Sequence, residues 1–116
     1  MKEDSGCERR KFVRIDCPCR VIFHNPERVV DTRVRNISAG GVRVVLGEEV
    51  KEHDAVGLEV YLTPEGVKCE GRVVWVIAQK GEFDCGIEFY EIADKDRLFI
   101  DEFVKRLVTK GGCDGK

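Results

Sequence analysis

Apolar and polar residues alternate with period two through most of the chain, and the alternation breaks at clusters of turn-forming residues. CRVIFHN (19–25) is a first such run, closed by the turn signal HNPE. VVDTRVRNI (29–37) is a second, with Val30, Thr32 and Val34 on one side, and SAGG ties it to a third, GVRVVL (41–46). AVGLEVYL (55–62) alternates through Val56, Leu58, Val60 and Leu62. TPEG follows, with Pro64 second and Gly66 fourth, as a type I turn requires. Two further runs, 67–78 and 83–90, flank the turn QKGE. The pattern predicts six strands with short connections, and small antiparallel sheets of this kind close into a barrel or sandwich to remove exposed edges. The period then changes. In ADKDRLFIDEFVKRLV, Leu98, Phe99, Phe103, Leu107 and Val108 recur at three- and four-residue spacing, which predicts one C-terminal helix of about four turns across an open end of the sheet structure. Asp94 or Asp96 suits its start, Lys105, Arg106 and Lys110 its end, and Gly111 its stop. A helix that docks a partner is the rival reading of the same face.

Strand parity also sorts the cysteines. Val67, Cys69, Val73, Trp75 and Ile77 share one side of the fifth run, and Phe83, Cys85, Ile87 and Phe89 one side of the sixth. Cys69 and Cys85 therefore read as small core hydrophobes. The six cysteines include no C-x-x-C pair, and His24 and His53 lie far apart, so neither zinc nor catalytic chemistry is indicated; Cys17, Cys19 and Cys113 are the least determined. The start, MKEDSGCERR, lacks the apolar stretch of a signal peptide, and no run approaches the roughly 20 apolar residues of a membrane span. The expectation is a cytoplasmic protein with reduced thiols and no direct membrane insertion.

At 116 residues the chain has the size of one domain, and its 36% charged content is high. The net charge of −2 hides a division. Residues 8–43 carry nine Arg or Lys against four acids, whereas residues 44–116 carry ten against sixteen. A cationic region on an acidic body suits a specific small anion better than long duplex nucleic acid, which calls for a basic domain.

The cations concentrate in ERRKFVR (8–14), where Arg10 and Arg14 stand four apart and share one side of the chain whether it is extended or helical. Guanidinium forks can clamp phosphate or meet the O6/N7 edge of guanine. A merely solvated cationic tail has the same composition. In NISAGG (36–41), Asn36 and Ser38 face the same way if extended and supply donors and acceptors suited to a base or ribose. Gly40 and Gly41 allow positive φ and close approach of a ring. Plain turn chemistry explains the same residues.

Taken together, R-x-x-x-R followed some 20 residues later by [D/N]-x-S-x-x-G resembles the signature of the PilZ domain family, met here by Arg10, Arg14, Asn36, Ser38 and Gly41. GRVVW (71–75), CGIEF (85–89) and the closing helix fit the same resemblance. It implies a mainly β fold, a six-stranded antiparallel β-barrel with one C-terminal α-helix, and a receptor for cyclic di-GMP. On this reading residues 8–109 form the domain with its N-terminal arginine arm, and residues 1–7 and 110–116 are disordered. The resemblance also implies ligand-binding roles for Arg10 and Arg14 on the arm and for Asn36, Ser38 and Gly41 on the barrel. Arg9, outside the signature, is a weaker candidate for a second, intercalated nucleotide. Ordering of the arm on binding would signal to a separate protein partner, with motility, surface polysaccharide and attachment as the outputs the family suggests.

Three functional classes compete. No Ser–His–Asp order, Walker loop or paired-carboxylate signal points to an enzyme, and no cofactor is implied. A nucleotide-independent adaptor on the same barrel is the alternative to the receptor, although all the signature residues are retained. A barrel for single-stranded nucleic acid needs exposed aromatic platforms, and the parity of Trp75, Phe83 and Phe89 puts all three inside, so neither DNA nor RNA is expected as a partner.

Overall fold

A computed structural model describes residues 13–24 and 26–109, the side chains of 108 and 109 excepted. Six strands follow one another: β1 (Val13–His24), β2 (Glu27–Ser38), β3 (Gly41–Leu46), β4 (Ala55–Val60), β5 (Val67–Gln79) and β6 (Glu82–Glu91), then a single helix, α1 (Asp94–Thr109). All neighbouring pairs are antiparallel, and the order β1-β2-β3-β6-β5-β4 closes into a barrel because β1 pairs with both β2 and β4. Closure gives every strand a hydrogen-bonded neighbour on both sides along part of its length. The expected fold class, a six-stranded antiparallel barrel with one C-terminal helix, is the one observed.

The inward residues are largely the β-branched and aliphatic ones that the alternation singles out. Val21, Val34, Ile37, Val44, Val56, Val60, Val73 and Cys85 are wholly buried, and Leu58 and Ile87 nearly so. Two turns are set by backbone chemistry. Gly66 lies at φ +76° and its N–H donates to the Thr63 carbonyl at 3.1 Å, closing the expected Thr63–Gly66 turn. Lys80 (φ 49°) and Gly81 (φ 85°) form a two-residue hairpin between paired Gln79 and Glu82, where two successive left-handed residues match the strand twist.

Several expectations are corrected in detail. β1 begins at Val13, six residues ahead of the expected first strand, so Arg14 belongs to the barrel wall. β4 ends at Val60 and leaves Leu62 outside it. The face of α1 is rotated: Ile100 and Val104 are buried against the barrel core, whereas Leu98 is 58% exposed. The packing of α1 on β1 and β2 selects that face. Asp94 and Asp96 lie in the first turn, where they favour the helix dipole, and the N–H groups of Asp96 and Arg97 donate to the Ala93 carbonyl. The proposed stop at Gly111 and both terminal segments lie outside the described residues.

The largest correction is Trp75. Inward parity holds through Gly71 and Val73, then a bulge between Val73 and Trp75 inserts one extra residue. Val76 therefore takes the next inward place, and Trp75 and Ile77 face solvent, 37% and 52% exposed. Phe83 packs against the core and Phe89 is buried, as expected.

Candidate functional site

Two more bulges shape the region where the arginine and NISAGG motifs meet. One lies in the β1–β2 ladder between Arg14 and Cys17, the other in the β2–β3 ladder between Val34 and Asn36. Strict alternation from buried Val34 would send Asn36 inward. The extra residue, Arg35, returns Asn36 to the outer face and puts Ile37 in the core at 0% exposure. With Asn36 so turned, register brings it directly opposite Arg14 on one side and opposite Arg43 on the other. Arg43 in turn pairs with Gly86, and Gly86 with Trp75. The outer wall thus carries one continuous cross-strand row, Arg14–Asn36–Arg43–Gly86–Trp75, over five adjacent strands. At about 4.8 Å per strand it spans roughly 19 Å. The Trp75 indole covers Gly86 so closely that a Cβ there would come within 2.3 Å of Nε1.

Hydrogen bonding divides the arginines of β1–β3 into two kinds. Arg20 pairs with Asp31, Arg28 with Glu48, Arg33 with Asp16, and Arg43 with Asp84. Arg14 and Arg35 have no ion-pair partner among the described residues, and both are exposed. Because Arg33 holds Asp16, the acid closest to Arg14 along β1 is already engaged. Of the six arginines on β1–β3, the two without a described carboxylate partner therefore flank Asn36. Arg43 makes a fork: its Nε and Nη2 donate to the two Asp84 carboxylate oxygens at 2.9 and 2.8 Å, and its Nη1 donates to Asn36 Oδ1 at 3.1 Å. That pairing with Asp84 raises the Arg43 pKa further above its ordinary value.

The rest of NISAGG shapes the β2–β3 turn. Ser38 is 7% exposed, and its Oγ accepts the Gly40 N–H at 3.1 Å, bracing a two-residue turn between paired Ser38 and Gly41. Neither Gly40 nor Gly41 has positive φ. Gly41 is required by crowding instead: a Cβ there would sit 2.4 Å from the Ile87 carbonyl oxygen and 2.9 Å from the Glu88 Cα.

Of the sequence candidates, Arg14, Asn36, Ser38 and Gly41 are therefore gathered within two strand spacings, while Arg9 and Arg10 lie outside the described residues. Sequence reasoning missed Arg35, Arg43 and Trp75. The bulge that exposes Trp75 leaves no mark in alternation, Arg35 faces outward on plain alternation but is not a signature position, and Arg43 is found only through its partners. Elsewhere, a depression of about 690 Å³ lined by Phe23, His24, Arg28 and Glu48 lies at the opposite end of β1. Its arginine stacks on Phe23 and is held by Glu48, so it offers little to an anion.

The barrel cysteines take no part in this face. Burial pushes the Cys17 thiol up to about 11 and those of Cys19, Cys69 and Cys85 to about 12, so all four stay protonated at neutral pH.

Comparison with known proteins places this geometry in context. An uncharacterised protein of Aquifex aeolicus (strain VF5) is 26% identical over 105 residues, covering 90% of this chain and 52% of that one. Among solved structures, the Bacillus subtilis inhibitor of motility MotI/DgrA superposes with a TM-score of 0.73 at 25% identity, over 87% of this chain and 52% of its own. The PilZ domain of YcgR from Escherichia coli, solved with c-di-GMP, superposes with a TM-score of 0.67 at 13% identity, over 86% of this chain and 90% of that domain. The chain thus spans about half the length of the Aquifex and Bacillus proteins it matches. The profile of the PilZ domain matches residues 8–106, nearly the whole barrel and helix, and the chain belongs to the PilZ domain family.

Proposed function

We propose that the protein is a receptor for cyclic di-GMP, which it binds on the outer wall of the barrel where Arg14 stands opposite Asn36. One observation carries this reading. Register joins the end of R-x-x-x-R to the start of N-x-S-x-x-G, and around that junction stand Arg14 and Arg35, which have no described carboxylate partner. Such a surface presents donors and positive charge, which suits phosphate oxygens and the acceptor edge of guanine. The structure of the YcgR domain with c-di-GMP on the same fold supports the choice of ligand.

In this reading Arg14 and Asn36 touch the nucleotide, Arg10 closes over it from the preceding segment, and Arg9 serves a second nucleotide if two bind as a pair. Gly41 and Ser38 hold the β2–β3 turn in the shape the ligand meets. Ordering of residues ahead of Val13 on binding would present a new surface to a protein partner, as the inhibitor role in the name of MotI suggests for that protein. The retained signature residues disfavour the nucleotide-independent adaptor.

Titration calorimetry with cyclic di-GMP tests the reading. Micromolar or tighter binding is expected, and folded protein that gives no heat overturns it. Arg14→Ala and Arg10→Ala should each weaken binding by roughly 10- to 100-fold, since each removes charge-assisted bonds of about 1.5–3 kcal/mol.

A further inference from the structure

We propose that Arg43, held in place by Asp84, fixes which end of the Asn36 amide the site offers, and thereby selects a guanine edge over an adenine edge. The inference rests on the receptor reading above and adds a specificity determinant to it.

A guanidinium has donors only, so the end of the Asn36 amide that faces Arg43 must be the oxygen. The contact is Arg43 Nη1 to Asn36 Oδ1 at 3.1 Å. Turning the amide over would set its N–H groups against those of Arg43 and lose the bond. Arg43 is held against swinging aside, because Nε and Nη2 are both committed to the Asp84 carboxylate, which is largely sheltered at 23% side-chain exposure. Across the ladder on the other side stands Arg14, again a donor only. The Asn36 Nδ2 group thus has no acceptor among the described residues, and the amide presents a donor to whatever lands on the wall.

That polarity matters because asparagine free to turn is a good reader of adenine. Its oxygen takes the N6 amino group while its nitrogen meets N7. With the oxygen turned to Arg43, the outward donor matches either O6 or N7 of guanine, whereas on adenine it can meet N7 alone and faces the N6 amino group donor to donor. Arg14 beside it adds a fork of the kind that fits guanine O6 and N7. Arg43 and Asp84 are positioning residues in this account, acting through Asn36.

The test compares affinities for cyclic di-GMP and cyclic di-AMP, by calorimetry, in the wild-type protein and in Arg43→Met, Asp84→Asn and the double variant, which leaves neither charge unpaired. The wild type should prefer cyclic di-GMP. Freeing the amide should narrow the preference by about tenfold or more, the size of one lost base-edge discrimination. Arg43→Lys, still a donor to Oδ1, should retain most of it. The ratio separates the idea from a purely structural role, which would lower both affinities together. A ratio unchanged in a well-folded double variant overturns the inference while leaving the receptor intact. It would mean that Asn36 meets phosphate, which both dinucleotides share. Absence of cyclic di-GMP binding by the wild type overturns the receptor reading itself, and this inference with it.

Discussion

Gly41 and Arg14 are both signature residues, yet the physics assigns them opposite jobs. Gly41 has no room for a side chain, since the obstacles are the Ile87 carbonyl and the Glu88 Cα of the paired strand rather than a movable side chain. Gly41→Ala should therefore force β3 and β6 apart and destabilise the barrel by about 1–3 kcal/mol, read as a lower urea midpoint. Arg14→Ala removes an exposed side chain with no described partner and should leave that midpoint within about 0.5 kcal/mol of wild type. If Gly41→Ala unfolds at the wild-type midpoint, the crowding argument fails. The buried thiols give a second expectation at this scale. Their folded pKa values, about 11 for Cys17 and about 12 for Cys19, Cys69 and Cys85, lie above the ordinary 9.0. Between these limits the unfolded chain has lost protons that the folded chain keeps, so the unfolded state binds fewer and stability must fall as pH rises. Below pH 9 the thiol contribution is fully present. Urea midpoints under reducing conditions should decline from pH 8 to pH 10.5, and Cys85→Val should flatten part of that slope.

Strands were readable from sequence wherever alternation ran unbroken, and misread where a bulge reversed it. β3 and the turn at Thr63–Gly66 emerge directly from their residues, Val42, Val44 and Leu46 facing in and Gly66 closing the turn. Trp75 and Asn36 do not, because one inserted residue reverses the parity of the rest of the strand, and no residue type announces an insertion. Nor does α1 announce its phase: Leu98 and Ile100 are equally apolar, and only docking on β1 and β2 decides that Ile100 goes inside. The exposure of Trp75 removes one sequence argument against nucleic-acid binding, that no aromatic lies on the surface. It also supplies a probe. Trp75 is the sole tryptophan and ends the row that begins at Arg14 and Asn36. Cyclic di-GMP lying along that row should quench or shift Trp75 emission with the same midpoint as the heat of binding. Heat without any change in emission would confine the ligand to the Arg14 end.

At the scale of the molecule, the arrangement of charge distinguishes a receptor for one small dianion from a binder of polyanions. The cationic region sits on a body in which residues 44–116 hold sixteen acids against ten basic residues. A dinucleotide on the outer wall feels attraction from guanidinium groups at contact distance and repulsion from acids spread over a molecule 40 × 31 × 23 Å in extent. The two ranges respond differently to salt. At about 0.01 M the Debye length is roughly 30 Å, so the whole acidic body opposes binding; at 0.15 M it is about 8 Å, and mainly the contact cations are still felt. Raising salt over that interval removes long-range repulsion while weakening contact attraction, and the two changes offset. Affinity for cyclic di-GMP should therefore stay within about threefold up to 0.15 M and decline above it, as the remaining attraction is screened. A polyanion binder behaves otherwise, since counterion release gives a log–log slope of about −0.9 per phosphate neutralised from the lowest salt upward. Calorimetric titrations from 0.01 to 0.5 M salt read the difference. A steep, straight decline beginning at 0.01 M would show that the cations of residues 8–43 serve an extended nucleic acid, and the assignment to a small cyclic dinucleotide would fail.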